Sequence, residues 1–254
     1  MTNQDQGKGS VGFRMQKLMS FSTVILIATL NEEDGIAPTL TEFKETLEDS
    51  TYLVVDGGST DQTVEIARGL GAEILVQTGR GKGNAIAEGL SSIKHEPKYV
   101  VFTDADFTYP ARYVLNMIQI LDENPRVGMV TGNRFNPSLT SGAMKNPFYA
   151  GNKLIAVSQR ILNGVDLADP LTGLRVVRWE ILKHWKPKSL GFDIEAELNH
   201  RVERAGYQTV EVPVHYRARV GEKKLKLRHG LTIFKRIISE STQSNSTHSR
   251  EGDH

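Results

Sequence analysis

The sequence predicts an α/β protein with a mostly parallel central sheet flanked by helices. Short apolar runs rich in β-branched residues alternate with helical stretches, which is the pattern of repeated βαβ units. The apolar runs are nearly continuous, as expected of strands that are buried on both faces. The chain has 254 residues, 39% hydrophobic and 24% charged, which suits a globular domain rather than a disordered chain.

Secondary structure follows from these runs in chain order. Turn residues or a change of period end the predicted strands, which are Thr23–Thr29, Tyr52–Asp56, Ala72–Val76, Tyr99–Asp104 and Val127–Gly132. The predicted helices are Ala37–Glu48, Asp61–Gly69, Gly83–Ile93, Pro110–Asp122 and Phe148–Leu162. Ser59 and Thr60 are expected to cap the second helix. Pro110 suits a first helical turn because it lacks an N–H.

The chain is expected to form one domain between two tails. Residues 1–20 lack sustained periodicity, and residues 241–254 contain no aliphatic side chain, so a flexible N-terminal tail and a disordered C-terminal tail are predicted. The domain then covers residues 21–240. Its first half, about 21–132, carries the βαβ pattern, and its second half, about 133–240, is expected to pack on the same sheet.

Composition excludes several classes of protein. Lys and Arg number 31 and Asp and Glu number 30, and this balance argues against a protein that coats nucleic acid. The absence of Cys excludes disulfides, Cys-ligated zinc, iron–sulfur clusters and thiol catalysis, and it fits a reducing cytoplasm. The longest apolar run, Thr23–Leu30, is too short to span a bilayer. We therefore expect a cytoplasmic protein with no nucleic-acid partner.

Polar residues follow three of the predicted strands at the point where each strand ends. They are Asn31-Glu32, Asp56 and Asp104-Ala105-Asp106. In such sheets, ligands bind at the carboxyl ends of the strands. Two carboxylates with one residue between them can share a hard cation. Mg²⁺ or Mn²⁺ held in this way completes its coordination shell with substrate phosphates. Asp104 and Asp106 are therefore the candidate metal ligands.

A glycine-rich segment, Gly79–Asn84, lies between the third strand and the next helix. It is neither a P-loop nor a complete G-x-G-x-x-G motif, because Ile86 occupies the last position. Its basic side chains and the backbone N–H groups at the start of the helix can still contact a diphosphate. Gly81 and Lys82 are the candidate contacts.

Together these segments resemble the family 2 glycosyltransferases, which have the Rossmann-like GT-A fold. The resemblance covers residues 23–238. Residues 28–32, A-T-L-N-E, resemble the family's P-x-x-N-E start, and residues 54–61 resemble its V-V-D-D-G-S-T-D, with Gly57 in place of the second Asp. Asp104-Ala105-Asp106 matches the family's metal-binding triplet. The resemblance implies a nucleotide-sugar site made of Ala28, Leu30, Glu32, Asp56, Gly81, Lys82, Asp104, Ala105, Asp106, Arg175 and Lys224.

A further series of motifs is similar to the polyprenyl-phosphate hexose synthases, the dolichol-phosphate mannose and glucose synthase group. In order, these motifs are D-A-D-F-T-Y-P at 104–110, T-G-N-R at 131–134, G-N at 151–152, D-P-L-T-G-L-R at 169–175, G-F-D-I-E at 191–195 and Y-x-x-R-x-G-x-x-K-L at 216–225. Thr172, Leu174 and Lys223 depart from the usual residues. This resemblance implies an inverting, metal-dependent transfer of a hexose from a UDP- or GDP-sugar to a polyprenyl phosphate.

The chemistry of a phosphate acceptor requires cations. A phosphate monoester has a second pKa of about 6, so it is mostly dianionic at neutral pH and attacks the sugar C1 without a general base. It must be held against a negatively charged donor, and Arg suits bidentate contact with phosphate. The candidate cations are Arg134, Arg175, Arg219 and Lys224. Arg134 and Arg219, with Asp104 and Asp106, are the predicted catalytic residues.

Two alternatives stay open. A sugar or small-molecule hydroxyl acceptor needs a carboxylate base, for which Asp193 and Glu195 are the candidates. The second alternative is a catalytically inactive protein that binds nucleotide sugars, although the intact pair of Asp104 and Asp106 argues against it.

A basic segment predicts contact with a membrane surface. Residues 217–236 carry eight basic side chains against one acidic side chain. The helix predicted there places Leu231, Phe234, Ile237 and Ile238 on one side. Such a segment can lie on an anionic bilayer, so peripheral association with the cytoplasmic membrane face is expected. The alternative is an amphipathic helix packed on the domain.

Overall fold

The computed structural model describes residues 23–135, 147–222, 224 and 229–248. The elements in the first half are β1 (Thr23–Thr29), α1 (Glu33–Thr46), β2 (Thr51–Asp56), α2 (Thr63–Gly69), β3 (Glu73–Val76), α3 (Lys82–Ser92), β4 (Tyr99–Asp104), α4 (Arg112–Glu123) and β5 (Val127–Asn133). Those in the second half are α5 (Pro147–Asn163), β6 (Arg175–Arg178), α6 (Trp179–Leu182), α7 (Ile194–Arg204), β7 (Gln208–Pro213) and α8 (His229–His248). The tail predicted at residues 1–20 lies outside the described residues.

One seven-stranded sheet organises the described chain, with the strand order β3-β2-β1-β4-β6-β5-β7. The pairs β1–β2, β1–β4, β2–β3 and β5–β7 are parallel, whereas β6 runs antiparallel to both β4 and β5. The predicted α/β class and mostly parallel sheet are confirmed. Strands β5, β6 and β7 extend the sheet formed by β1 to β4, so the second half packs on the same sheet, as expected.

The strand register brings the carboxyl ends of the first strands to one edge. Thr29 pairs with Asp56, and Ala28 pairs with Asp104. Asp56 in turn pairs with Val76, the last residue of β3. The residues that follow β1, β2, β3 and β4 therefore emerge side by side, where a ligand can contact several of them.

Helices cover both faces of this sheet, and alternate residues of β1 enter opposite cores. Ile25 and Ile27 pack in the layer that includes α1 and α4, whereas Val24 and Leu26 pack in the layer that includes α3 and α7. This period of two is that of a strand buried on both faces. Large buried apolar areas on both faces stabilise the strands whose ends form the polar edge.

Some predicted helix boundaries are wrong at their N-terminal ends. Helix α1 begins at Glu33 rather than at Ala37, because the Glu32 carbonyl already accepts hydrogen bonds from the N–H groups of Gly35 and Ile36. The apolar periodicity that predicts a helix becomes visible only one turn after the helix has begun.

The capping prediction for α2 is also wrong. Ser59 Oγ donates to Asp56 Oδ1 (2.5 Å), so it serves the turn rather than the helix. The N-cap of α2 is Gln62, and Asp61 Oδ1 accepts from the backbone N–H of Thr63 (3.1 Å). Asp61, one residue before the N-cap, therefore bonds to the start of α2, which Ser59 and Thr60 were predicted to do.

The second half contains elements that the sequence analysis did not predict. Strand β6 has four residues and Arg at both ends, so its apolar signal is too short to detect. Helix α8 continues to His248, so the disordered tail predicted from residue 241 is wrong for residues 241–248. Ser241 and Thr242 are held there by side-chain bonds to the carbonyls of the preceding turn. Residues 249–254 lie outside the described part. No helix in the described ranges is both long and apolar enough to cross a bilayer.

Candidate active site

Two carboxylates at the end of β4 form the centre of the candidate site. Asp104 is the last residue of β4, and Asp106 follows it in a turn. Thr108 fixes Asp106, because its hydroxyl and its N–H both donate to Asp106 Oδ1 (2.5 and 3.2 Å). Glycines supply the space around the pair. A Cβ on Gly173 would lie 2.3 Å from Asp104 Oδ2, and a Cβ on Gly35 would lie 2.8 Å from the Cα of Asp106.

A cation contacts each carboxylate. Lys82 Nζ lies 2.8 Å from Asp104 Oδ1 and 2.7 Å from Glu195 Oε1. Arg219 Nη1 lies 2.7 Å from Asp106 Oδ2, and its other terminal nitrogen pairs with Glu32 Oε1. Lys82 and Arg219 therefore connect the β4 carboxylates to α7 on one side and to the end of β1 on the other.

Burial and neighbouring charges shift the acidities of these groups in different directions. Burial raises the pKa of Asp106, and the nearby Asp104 carboxylate raises it further. Burial also acts to raise the pKa of Asp104, but Lys82 outweighs it, with help from Arg134 and Arg219, so this pKa lies below its ordinary value. The pKa values of the two carboxylates are therefore shifted in opposite directions.

Glu32 completes the acidic edge. Burial raises its pKa to about 7, against the attraction of Arg219 and Lys224. Glu32 Oε2 is buried and has no hydrogen-bond partner among the described residues. The end of β1 thus contributes a carboxylate that titrates near neutral pH, joined to Asp106 through Arg219.

Asp104 and Asp106 suit a divalent cation. Mg²⁺ and Mn²⁺ prefer oxygen ligands, and Mg²⁺ is commonly held by one or two carboxylates plus substrate phosphates. Asp104 Oδ2 accepts no hydrogen bond from the described residues, so one anionic oxygen is available. Across the described ranges, no group of three or more His, Asp or Glu residues has metal-binding geometry. The residues present fit an ion that a bound diphosphate completes.

Arg134 is held as a rigid fork near the carboxylate pair. Its Nε and Nη2 donate to the two oxygens of Asp169, each at 2.7 Å. Burial acts to lower the pKa of Arg134, but Asp169, together with Tyr109 and Tyr216, outweighs it and raises this pKa well above its ordinary value. The guanidinium lies 5.4 Å from the centroid of the Tyr216 ring. Nη1 has no acceptor among the described residues, so Arg134 keeps donors for an anion.

The crossing segment, residues 214–222, brings Arg219 to this site. Its backbone N–H groups donate to carbonyl oxygens at three points: Val214 to Asn133, Arg217 to Thr108 and Val220 to Asp106. Arg217 also forms a two-armed ion pair with Glu42 (2.5 and 2.9 Å). Beyond the segment, Lys224 Nζ donates to the carbonyl of Asn31 (3.0 Å). These contacts fasten the segment across the ends of β1 and β4.

Arg175 departs from the prediction that four cations surround a phosphate. It is only 1% exposed. Its guanidinium donates to the carbonyls of Thr172 and Pro170 and to Asn199 Oδ1. These bonds join the loop before β6 to α7. Arg175 therefore positions the loop that carries Gly173 and is not accessible to an anion.

The glycine-rich segment packs against backbone rather than forming an open anion site. Gly81 has φ +95°, and a Cβ there would lie 2.2 Å from the Leu190 carbonyl oxygen. The N–H groups of Gly83 and Asn84 donate to the same oxygen (3.1 and 3.3 Å). These two N–H groups therefore already have an acceptor, and contact between this segment and a diphosphate stays a prediction. Lys82 is the part of this segment that reaches the carboxylate pair.

Three further residues of the predicted nucleotide-sugar site lie along the same edge of the sheet and differ in their burial. Asp56 is buried, and Gly58 N, Ser59 N and Ser59 Oγ all donate to its carboxylate. Leu30 is 42% exposed at the end of β1. Ala105 lies buried between the two metal-site carboxylates. Asp56 therefore holds the turn after β2, while Leu30 presents apolar surface to solvent.

Both candidate base residues are paired with cations. Asp193 Oδ2 accepts from Arg236 Nε at 3.1 Å. Glu195 Oε1 contacts Lys82, whereas Glu195 Oε2 is buried without a partner among the described residues. Both carboxylates therefore already have a cationic partner within the protein.

The basic residues of 217–236 do not form one outward patch. The inward-facing members pair with carboxylates or a carbonyl, and they are Arg217, Arg219, Lys224 and Arg236. Lys235 is exposed, while Lys223, Lys226 and Arg228 lie outside the described residues. Ile237, which was predicted on the same side of the helix as Leu231, Phe234 and Ile238, is buried, whereas those three are exposed.

Helices α5 and α8 instead expose apolar rows. At a spacing of three and four residues, side chains 38% to 75% exposed occur at Leu154, Val157 and Ile161 on α5 and at Leu231, Phe234 and Ile238 on α8. The opposite faces of the two helices share a small core with α7 that includes Ile155, Ile233 and Ile237. The two helices therefore pack together and leave apolar surface uncovered.

Comparison with known proteins settles the family. The family model described as glycosyl transferase family 2 matches residues 24–184. The chain belongs to this family. Among its relatives, "Glycosyltransferase AglJ" of Haloferax volcanii is 33% identical over 87% of this chain and 72% of its own length. "Dolichyl-phosphate hexose transferase" of the same organism is also 33% identical, over 84% and 91%.

A third relative and the solved structures extend this comparison. "Dolichol-phosphate mannosyltransferase" of Pyrococcus furiosus is 27% identical over 83% of this chain and 60% of its own length. Glucosyl-3-phosphoglycerate synthase from Mycobacterium tuberculosis superposes with a TM-score of 0.73 at 19% identity, covering 95% of this chain and 86% of that one. That enzyme was also crystallised with Mn²⁺, UDP and its product. At this identity the likeness concerns the fold, and it confirms the GT-A architecture.

Sequence analysis missed several partners in this glycosyltransferase. It singled out Arg134 and Lys82 but did not predict that Asp169 and Glu195 would hold them. The motif containing Asp169 carried a signal, since an acid amid apolar and glycine residues needs a buried partner. Tyr109 was not singled out as a site residue either, although its hydroxyl accepts from the N–H of Gly173 (2.8 Å) beside Asp104.

Proposed function

We propose that this chain is an inverting glycosyltransferase that moves a hexose from a UDP- or GDP-sugar to a polyprenyl phosphate. One observation carries the proposal. Arg134, prepositioned by Asp169, lies near the β4 carboxylates, whereas the candidate bases Asp193 and Glu195 are paired with cations. A dianionic phosphate acceptor needs a positioned cation such as Arg134, and it attacks without a general base.

On the donor side, Asp104 and Asp106 would hold a divalent cation. When bound, that ion neutralises the negative charge that develops on the departing nucleoside diphosphate. Lys82 is positioned by Glu195 to keep positive charge beside Asp104. The M. tuberculosis synthase, which was crystallised with Mn²⁺ and UDP, supports a nucleotide donor used together with a divalent cation.

On the acceptor side, a phosphate oxygen attacks C1 on the face opposite the diphosphate. A new C–O bond forms as the bond from C1 to the diphosphate oxygen breaks, and the configuration at C1 inverts. No proton is lost from the acceptor, so no residue must remove one. Arg134 would orient the acceptor phosphate through Nη1, the nitrogen that Asp169 does not use.

The lipid part of such an acceptor must reach the site from a bilayer. The apolar rows of α5 and α8 offer surface that can enter the boundary between headgroups and acyl chains. This interpretation replaces a docking surface made of basic residues, because Arg217, Arg219 and Arg236 pair inward. The two dolichyl-phosphate relatives support a lipid-linked acceptor.

The function is tested by incubating the protein with radiolabelled nucleotide sugars, Mn²⁺ and a polyprenyl phosphate, followed by organic extraction. We expect label from a UDP- or GDP-hexose in the organic phase, released by mild acid. Label in a water-soluble glycoside would instead favour a hydroxyl acceptor. Binding of nucleotide sugar without any transfer would favour the inactive binding protein.

The docking surface has its own test. The double variant Leu154→Gln, Leu231→Gln should release the protein from anionic vesicles and raise KM for a long-chain polyprenyl phosphate by about tenfold, since two apolar anchors are lost. A short, detergent-soluble acceptor serves as the internal control. Equal changes in KM with both acceptors would contradict docking through α5 and α8.

A further inference from the structure

One face of α1 runs along the turn that carries Asp106. Gly35, Thr39 and Glu42 are spaced by four and three residues, so they lie in one row on the helix. Gly and Thr are weak helix formers, so their places inside α1 call for another cause. Each residue of the row contacts the loop that follows β4.

The first two positions of the row hold the Asp106 turn against the helix. A Cβ on Gly35 would lie 2.5 Å from the Ala105 carbonyl oxygen, so this close approach needs a glycine. Thr39 Oγ1 donates to the same oxygen (3.2 Å) and accepts from the N–H of Phe107 (3.0 Å). The backbone on both sides of Asp106 is therefore fixed to α1.

Phe107 has a strained backbone in this turn. Its φ is +61°, in the left-handed region that a bulky residue rarely adopts, so its surroundings must hold it there. Thr39 holds its N–H, and the guanidinium of Arg217 lies 4.2 Å from the centroid of its ring, within the range of a cation–π contact. The crossing segment thus contacts the residue next to Asp106.

Glu42, the third residue of the row, holds Arg217 in this place. Its two carboxylate oxygens accept from the two terminal nitrogens of Arg217 (2.5 and 2.9 Å), and Oε1 also accepts from the N–H of Ala111 (3.2 Å). Both side chains of the ion pair are 24% exposed, and many pairs at such positions contribute little. Here the two-armed pair, the Phe107 ring and the third donor together define one geometry.

Arg217 in turn aligns the part of the crossing segment that carries Arg219. Residues 214–220 belong to neither a helix nor a strand, so their position depends on individual contacts. Arg217 N donates to the Thr108 carbonyl (3.0 Å), and Val220 N donates to the Asp106 carbonyl (3.1 Å). Arg219 lies between these two bonds, and its Nη1 reaches Asp106 Oδ2 at 2.7 Å.

We propose that Glu42 and Arg217 are positioning residues of the transfer reaction, because their ion pair holds Arg219 at Asp106. Helix α1 fixes both members of that contact. Thr39 holds the Asp106 turn, while Glu42 acts on Arg219 through Arg217. A cation held at this place stabilises the negative charge that develops on the departing diphosphate. This inference rests on the proposed function, because it takes that transfer as the reaction.

Glu42→Gln tests this role, because it keeps an oxygen for the N–H of Ala111 and removes the charge that pairs with Arg217. We expect kcat with a polyprenyl phosphate to fall by about tenfold and KM for the nucleotide sugar to change by less than about twofold, since Arg219 is misplaced rather than lost. Arg217→Lys keeps the charge without the planar fork and should give a loss of the same kind. Glu45→Gln, at an exposed position of α1, is the matched control.

A double-mutant cycle separates positioning from a general effect on stability. In an Arg219→Gln background, Glu42→Gln should reduce kcat by less than about a further twofold, because no arginine is left to be positioned. The residual rates are measured by the same radiochemical extraction. Losses that simply multiply in the double variant would overturn the proposal.

Amide hydrogen exchange tests the same contact without any substrate. In Glu42→Gln, the N–H groups of Arg217 and Val220 should exchange about tenfold faster, since the crossing segment opens more often. In Glu45→Gln they should exchange at the wild-type rate. Unchanged exchange in Glu42→Gln would overturn the positioning role alone. Absence of hexose transfer by the wild-type protein, with exchange altered as expected, would instead contradict the proposed function.

Discussion

The edge formed by β1 to β4 and the helical half, which runs from the end of β5 to α8, position their charges in different ways. At the edge, carboxylates are fixed by close neighbours in the chain. Asp106 bonds to Thr108 and Asp61 bonds to Thr63, each two residues away. Such turns form wherever an Asp is followed at short range by a hydroxyl and a free N–H.

In the helical half, cations are fixed by partners far away in the sequence. Arg134 and Asp169 are 35 residues apart, and Arg236 and Asp193 are 43 apart. Arg219 reaches Asp106 across 113 residues. The difference shows that local turn chemistry places Asp106, whereas only the completed fold places the cations.

At the edge, Asp104→Asn is the substitution that is expected to reduce transfer most. It removes one anionic oxygen pair where a metal and a diphosphate would bind, so transfer should fall by at least about a hundredfold. Lys82 keeps Glu195 as a partner, and the fold should persist. Steady-state rates with Mn²⁺ measure the effect, and Asp166→Asn, an exposed carboxylate, is the control. Near-normal activity of the Asp104 variant in excess EDTA would rule out a metal at this edge.

Arg236→Leu tests the long-range pairs of the helical half. It leaves the buried carboxylates of Asp193 and Glu197 without their cation, so the free energy of unfolding should fall by about 2–3 kcal/mol. Lys235→Leu, at the exposed neighbouring position, should change it by less than about 0.5 kcal/mol. Chemical denaturation measures both values. Equal small changes would mean that Arg236 is not a structural partner of α7.

Arg134→Lys sharpens the comparison within the site. Lysine keeps the charge but loses the planar fork that Asp169 orients, so kcat/KM for the acceptor should fall by about tenfold. Affinity for the nucleotide should be unchanged, since the proposed function assigns Arg134 to the acceptor. The exposed Arg160→Lys is the matched control. A loss of nucleotide affinity as large as the loss for the acceptor would place Arg134 on the donor side.

The same contrast explains what the sequence could predict. The strands β1, β2, β4 and β5 are long buried apolar runs, and the residues that follow them are visible as polar stops. The sequence alone therefore predicts Asp104 and Asp106 as candidate metal ligands. The burial of Arg175 was not predicted, because an Arg beside a glycine-rich motif is the same in sequence whether it meets a phosphate or a carbonyl.

The prediction of a membrane-contact surface from the sequence was limited in a similar way. A count of basic residues in 217–236 indicated a charged surface, but pairing with Glu42, Asp106 and Asp193 turns several of them inward. Exposure of Leu154 and Leu231 depends on which helix faces meet. Periodicity identifies an apolar row on a helix but does not tell whether the domain or another surface covers it.

In the helical half, the substitution of His200 is expected to have the smallest effect on stability. Burial lowers the pKa of this histidine, with a contribution from Arg204, so the folded protein holds it neutral. The unfolded chain takes up a proton near its ordinary pKa of 6.5, and stability is therefore lost as the pH falls below that value. His200→Gln should make the free energy of unfolding less dependent on pH between about 7 and 5, by less than about 1.4 kcal/mol per pH unit. Parallel curves for both proteins would show that His200 does not titrate on unfolding.

The central claim is that a phosphate, oriented by cations and needing no base, is the nucleophile. It is tested most directly by comparing a polyprenyl phosphate with the matching polyprenyl alcohol under the same donor and metal conditions. The arrangement of Arg134 with Asp169, and of Lys82 with Glu195, predicts transfer to the phosphate and none to the alcohol. Transfer to the alcohol at a comparable rate, abolished by Glu195→Gln, would contradict the claim and assign Glu195 as a general base.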